Sequence, residues 1–187
     1  MSSFKKIAIT GRELCLHPLE EQILGFSEEE KPDIVILREK DLEEEHYKLL
    51  AKKVKNACEE REICFIPHTF VNTAKTLGCE ALHLTYGGFL QQPEVTARFP
   101  VVGVSIHSLA EAKMVEERGG AYVVASNIWE TDCKPGLSGR GLPWLEEVCK
   151  GISLPVYALG GVKPELYGDL EAAGAAGACM MSWYMKR

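Results

Sequence analysis

Three groups of residues in this chain have types and spacing suited to chemistry. Gly160-Gly161 follows the apolar run 155–159, and paired glycines let backbone amides approach an anion closely. Ser182, just past a second apolar run at 177–181, can add a hydroxyl and an amide from the opposite side. A simple turn is the plain alternative for the double glycine. The second group is the stretch 126–141, SNIWETDCKPGLSGRG, whose three glycines, proline, Lys134 and Arg140 suit a lid folded over a ligand. The third group is the histidines, because an unperturbed imidazole titrates near neutral pH. His83 falls at the end of the apolar run 81–84, His107 begins the segment after another, and His68 follows Pro67. His17 and His46 look peripheral, and any single histidine is more often a hydrogen-bonded structural residue. In the lid, Trp129 can stack on a heterocycle or merely anchor the loop. Cys133 beside Lys134 suits a thiolate or a bystander. Arg140 suits a carboxylate fork or plain solvent exposure.

Short apolar runs must position these groups. They fall at 6–10, 33–37, 63–66, 81–84, 101–105, 122–125, 155–159 and 177–181, each apolar on both faces and rich in Val, Ile or Leu. That pattern predicts parallel strands buried on both sides. Helical periodicity fills the gaps. Residues 41–60 predict a helix capped by Asp41, and Ser108 with Glu111 forms a capping box for 109–118, closed by Gly119. Pro143 and Pro164 open two more helices. Eight strand-plus-helix units in one domain of 187 residues predict a compact (β/α)8 TIM barrel, although about 23 residues per unit is tight against the ~250 typical of that fold. An open flavodoxin-like sheet needs only about five strands. Few residues follow 181, so the eighth helix is truncated. Either the N-terminal segment or a second copy of the chain, in a homo-oligomer, must cover that flank. In such a barrel, function sits on the segments after the strands, which begin at Gly11, Arg38, Pro67, Thr85, Ile106, Ser126, Gly160 and Ser182.

Composition excludes several partners. The chain carries 27 acidic against 21 basic residues, a net charge of −6. No continuous basic face is expected, so neither nucleic acid nor an anionic membrane suits it. The acidic runs 28–30 and 43–45 read as solvated helix faces. Seven scattered cysteines with no CxxC pair predict buried, reduced thiols and a cytoplasmic protein. No apolar run approaches the ~18 residues of a membrane helix.

The pieces GVSIHS at 103–108, AYVVASNIWETDCKPGLSGRGL at 121–142, PVYALGGV at 155–162 and GAAGACMMS at 174–182 resemble the thiamin phosphate synthase/TenI family, cytoplasmic barrels of the thiamin pathway. ILREKD at 36–41 and ALHL at 81–84 extend the likeness upstream. The resemblance implies that Gly160, Gly161, Met181 and Ser182 hold a thiazole phosphate. It places Thr131 and Cys133 at a Thr-x-Thr pair beside the thiazole, and Lys134 at an active-site lysine. Arg38, Lys40 and Ser105 match groups that contact a pyrimidine diphosphate, and His83 matches a pocket histidine.

The departures divide the family's two activities. In the synthases the resemblance implies magnesium held by aspartates after strands three and four, where this chain has Pro67-His68 and TYGGF. A departing diphosphate needs its charge met. The lid motif ETDCK at 130–134 instead resembles the TenI branch, which tautomerises a carboxythiazole phosphate by proton transfer. Those tautomerases place a catalytic histidine where this chain has Asn127, which cannot titrate. The expectation is therefore a metal-independent, cofactor-free TenI-like tautomerase acting on thiazole phosphate. His83, His107 and Lys134 are its candidate acid/base groups, and Asn127, Thr131 and Cys133 join its binding residues. A thiamin phosphate synthase and a non-catalytic thiazole phosphate-binding homologue are the alternatives.

Overall fold

A computed structural model describes residues 4–130, 136 and 138–186. Its eight strands are β1 (Lys5–Ile9), β2 (Ile34–Leu37), β3 (Cys64–Pro67), β4 (Ala81–Thr85), β5 (Val101–Ile106), β6 (Tyr122–Ser126), β7 (Val156–Leu159) and β8 (Gly177–Met180). All pair in parallel in the order β3-β2-β1-β8-β7-β6-β5-β4, and an isolated bridge between His68 and His83 joins the two ends. The result is a (β/α)8 barrel. The helices are α1 (Leu19–Leu24), α2 (Glu44–Glu60), α3 (Val71–Thr76), α4 (Tyr86–Leu90), α5 (Val95–Arg98), α6 (Leu109–Glu117), α7 (Gly141–Gly151), α8 (Tyr167–Ala172) and α9 (Ser182–Met185).

Strand alternation sorts the apolar residues into two layers. Ile7, Ile9, Ile36, Ile66, Tyr122, Val124 and Cys179 pack together inside the ring. Their neighbours Ala8, Val35, Leu37, Val123 and Ala125 face outward under the helices. Burial on both faces is why each strand reads as a continuous apolar run.

Two sequence expectations change in detail. The second helix begins at Glu44 rather than at an Asp41 cap, because the Asp41 carboxylate is taken by the Arg12 guanidinium. Ser108 does cap α6, accepting from the Glu111 amide at 3.1 Å, while Glu111 Oε2 accepts from His107 N at 2.6 Å. Of the six described cysteines, all free thiols, Cys58 and Cys179 are buried as expected but Cys64 is exposed.

The last helix, α9, spans a single turn. The N-terminal segment covers the flank: Gln22 Nε2 donates to the Tyr184 carbonyl at 2.9 Å, and the Phe26 and Tyr184 rings meet edge-on at 5.4 Å. Cys15 Sγ lies 3.6 Å from Met185 Sδ. Among the described residues, no helix is long and apolar enough to cross a membrane.

Candidate functional site

Parallel strands all end at one mouth of the ring, so the candidate residues gather there by topology. After β1 and β2 a polar clamp forms. Glu39, only 5% exposed, accepts from the Thr10 hydroxyl at 2.6 Å, from the Arg12 amide at 3.2 Å and from the Arg12 guanidinium at 3.0 Å. Thr10 Oγ1 in turn accepts from the Arg38 amide at 2.9 Å. Arg12 also grips Asp41, whose carboxyl is held at about 2 chiefly by that hydrogen bond. With Glu39 turned into the wall, the flanking Arg38 is half-buried and Lys40 exposed at the rim.

After β3, β4 and β5 the site is built from buried rings. His83 Nε2 lies 2.9 Å from Ser105 Oγ, and its Nδ1 lies 3.0 Å from Tyr122 Oη. His68 stacks on His83 with centroids 5.3 Å apart, and its Nδ1 lies 2.5 Å from Thr69 Oγ1. Tyr47 braces this layer from α2, donating to the Leu37 carbonyl and accepting from the His68 amide, both at 2.8 Å. Burial, and secondarily the Arg38 charge, lowers the His83 pKa to about 3. Burial, then electrostatic repulsion from His83, Arg38 and Lys40 against taking up a proton, pushes His68 well below its ordinary value. Both rings are therefore neutral near pH 7.

After β6 and β7 the site is built from backbone. Ile128 N donates to the Leu159 carbonyl and Trp129 N to the Gly160 carbonyl, both at 3.0 Å. Asn127 is buried, and its Nδ2 donates to the Trp129 carbonyl at 3.2 Å. Gly160 and Gly161 take φ values of +103° and +65°. A Cβ on Gly160 would meet Asn127 Cβ at 2.5 Å, and one on Gly161 would meet the Glu130 carbonyl oxygen at 2.6 Å. Only glycine fits either place. Met181 and Ser182, both half-buried, follow β8, and Met181 Sδ reaches within 3.3 Å of where a Gly11 side chain would begin. His107 is exposed, with Nδ1 2.9 Å from the Ser126 carbonyl. Arg140 stacks over Trp144 at 4.8 Å. The candidates Thr131, Cys133 and Lys134 lie outside the described residues.

Sequence reasoning misses Thr10, Glu39 and Tyr122. Glu39 stands inside ILREKD between two candidate cations, a signal open to reading; Tyr122 carries none, because its partner is 39 residues away.

The residues after β3 and β4 do not fit a hard divalent cation. Pro67 has no donor, the His68 ring is buried against Thr69, and Thr85, Tyr86 and two glycines bring no carboxylate. Glu39 and Asp41, after β2, are held by Arg12, and Glu44 accepts from the Thr73 amide and hydroxyl. Among the described residues, no three His, Cys, Asp or Glu side chains converge as a metal site.

Residues 7–183 match the profile of the thiamine monophosphate synthase family. The chain belongs to that family. It is 27% identical to the thiamine-phosphate synthase of Halalkalibacterium halodurans, over 97% of this chain and 88% of the relative. It is 32% identical to the thiamine-phosphate synthase of Caldivirga maquilingensis, over 71% of this chain and 65% of the relative. Among solved structures, thiamine phosphate pyrophosphorylase from Pyrococcus furiosus superposes with a TM-score of 0.81 at 22% identity, over all of this chain and 89% of that one, a likeness of fold. These relatives overturn the tautomerase expectation, since they are named as synthases. That expectation rested on the phosphate seat, the ETDCK lid motif at 130–134 and the missing acids after β3 and β4, which weigh less than a match over nearly the whole barrel.

Proposed function

We propose that this chain is a transferase of the synthase type, joining a pyrimidine diphosphate to a thiazole phosphate at the barrel mouth. What supports the reading is the convergence of Arg38, Ser105 and Gly160-Gly161 at one end of a barrel that matches the synthase family from residue 7 to residue 183. In this reading Gly160, Gly161, Met181 and Ser182 seat the thiazole phosphate. Arg38, Lys40 and Ser105 hold the diphosphate. As the new bond forms, diphosphate departs and its negative charge grows; Arg38 and Lys40 are the cations placed to meet it. Asn127 contributes hydrogen bonds between the two halves, and Thr131, Cys133 and Lys134 are assigned to the thiazole by the family resemblance alone. His83 serves the pocket as a neutral ring, and His107 stays at the rim.

The test is direct. Purified protein is incubated with both substrates, with magnesium or with a chelator, and coupled product and released diphosphate are measured. Coupled product in either arm supports the reading, and its absence from both overturns it.

A further inference from the structure

Three residues stand level across three adjacent strands. His83 on β4 is in register with Gly103 on β5, and Gly103 with Tyr122 on β6. A Cβ on Gly103 would fall 1.9 Å from Tyr122 Cζ, so the glycine leaves the gap through which the Tyr122 ring reaches across β5. There its hydroxyl meets His83 Nδ1 at 3.0 Å. Ser105 lies two residues nearer the mouth than Gly103, on the same face of β5, and meets the other ring nitrogen at 2.9 Å. Tyr122 and His83 are both buried, whereas Ser105 is half-buried.

A neutral imidazole has one N–H and one bare nitrogen. Two arrangements of the chain follow. In the first, Tyr122 donates to Nδ1, Nε2–H donates to Ser105 Oγ, and the serine proton is left for a ligand. In the second, Nδ1–H donates to Tyr122, Ser105 donates to Nε2, and the tyrosine proton is left over inside the barrel, where it has no second protein partner among the described residues. An unused buried donor costs about 1–3 kcal/mol, which favours the first arrangement. In both arrangements burial keeps Tyr122 the phenol, raising its pKa far above the ordinary value, and keeps His83 neutral; the unused donor is what separates them.

We propose that Tyr122, acting through His83, fixes the Ser105 hydroxyl as a hydrogen-bond donor aimed at an anionic group in the mouth. This rests on the reading of Ser105 as a diphosphate contact. Tyr122 and His83 are then positioning residues: in the opposite arrangement Ser105 would present only lone pairs, which an anion repels.

Nitrogen-15 NMR of the histidines in the wild-type protein reads the arrangement without any substrate. A proton on His83 Nε2 with Nδ1 bare is expected; a proton on Nδ1 overturns the proposal. Calorimetry with inorganic pyrophosphate then reads its consequence. Tyr122→Phe keeps the ring and removes only the hydroxyl, and should weaken binding about tenfold, the loss of one charge-assisted hydrogen bond. Ser105→Ala should weaken it as much, and the double variant no further. Losses that multiply, or a Tyr122→Phe protein that binds as wild type, overturn the proposal. A wild-type protein that binds no pyrophosphate counts against the diphosphate reading of the mouth, and the histidine proton still decides the internal chain.

Discussion

The two sides of the mouth are made of different materials. On the β6–β8 side, main chain does the work: Leu159 and Gly160 are laced to Ile128 and Trp129 by backbone hydrogen bonds, and Gly160 and Gly161 lie too close to 127–130 for a side chain to fit between. On the β1–β5 side, buried polar side chains do it, through Glu39, His68, His83, Tyr47 and Tyr122. A backbone-built half depends on shape and is broken by adding an atom. A side chain-built half depends on charge state and donor direction, and is broken by removing an atom or adding a proton.

The largest effect should come from adding an atom to the backbone half. Gly161→Ala places a methyl against Glu130 and Trp129 at a left-handed φ, and should cost about 3 kcal/mol in urea unfolding. Gly136, also left-handed at φ +80° but with nothing among the described residues within 4 Å of an added Cβ, is the control. Gly136→Ala should cost only about 1 kcal/mol. Equal losses at the two positions would erase the distinction.

Removing an atom from the other half comes next. Tyr47→Phe deletes one donor and one acceptor between α2, β2 and β3, and should cost about 2 kcal/mol because the buried His68 amide loses its partner.

Protons act only on that same half. His83 has a folded pKa near 3 against an ordinary 6.5, and His68 shifts in the same direction. Below about pH 6.5 the unfolded chain binds protons that the folded one refuses, so stability is full above that value and falls as pH drops toward 3. His83 should contribute a slope of about 1.4 kcal/mol per pH unit within that window, and His68 adds to it in the same direction. Unfolding at pH 7, 6 and 5 measures it, and His83→Asn should remove its share. At the small end, Leu49→Ser on the exposed face of α2 should change stability by no more than about 0.5 kcal/mol.

The legibility of the sequence follows the same division. All eight strands are visible because burial on both faces leaves continuous apolar runs, and Gly160-Gly161 is visible because a backbone need dictates one residue type. The Ser108 cap is local and therefore readable. The start of α2 is misread because Arg12, 29 residues away, draws Asp41 out of its capping place. Tyr122 and Glu39 escape notice for the same reason, since their partners are distant in the chain. Changed residues after β3 and β4 invite a different activity, yet their local chemistry does not outweigh the pattern of the whole barrel.

Seven of the eight strand junctions are zipped by ladder hydrogen bonds, while β3 and β4 meet at the single His68–His83 bridge. A hoop riveted at one point parts at that point first. Amide exchange should therefore run fastest along this join, and the least-laced stave of the barrel is also the one that carries its two innermost imidazoles.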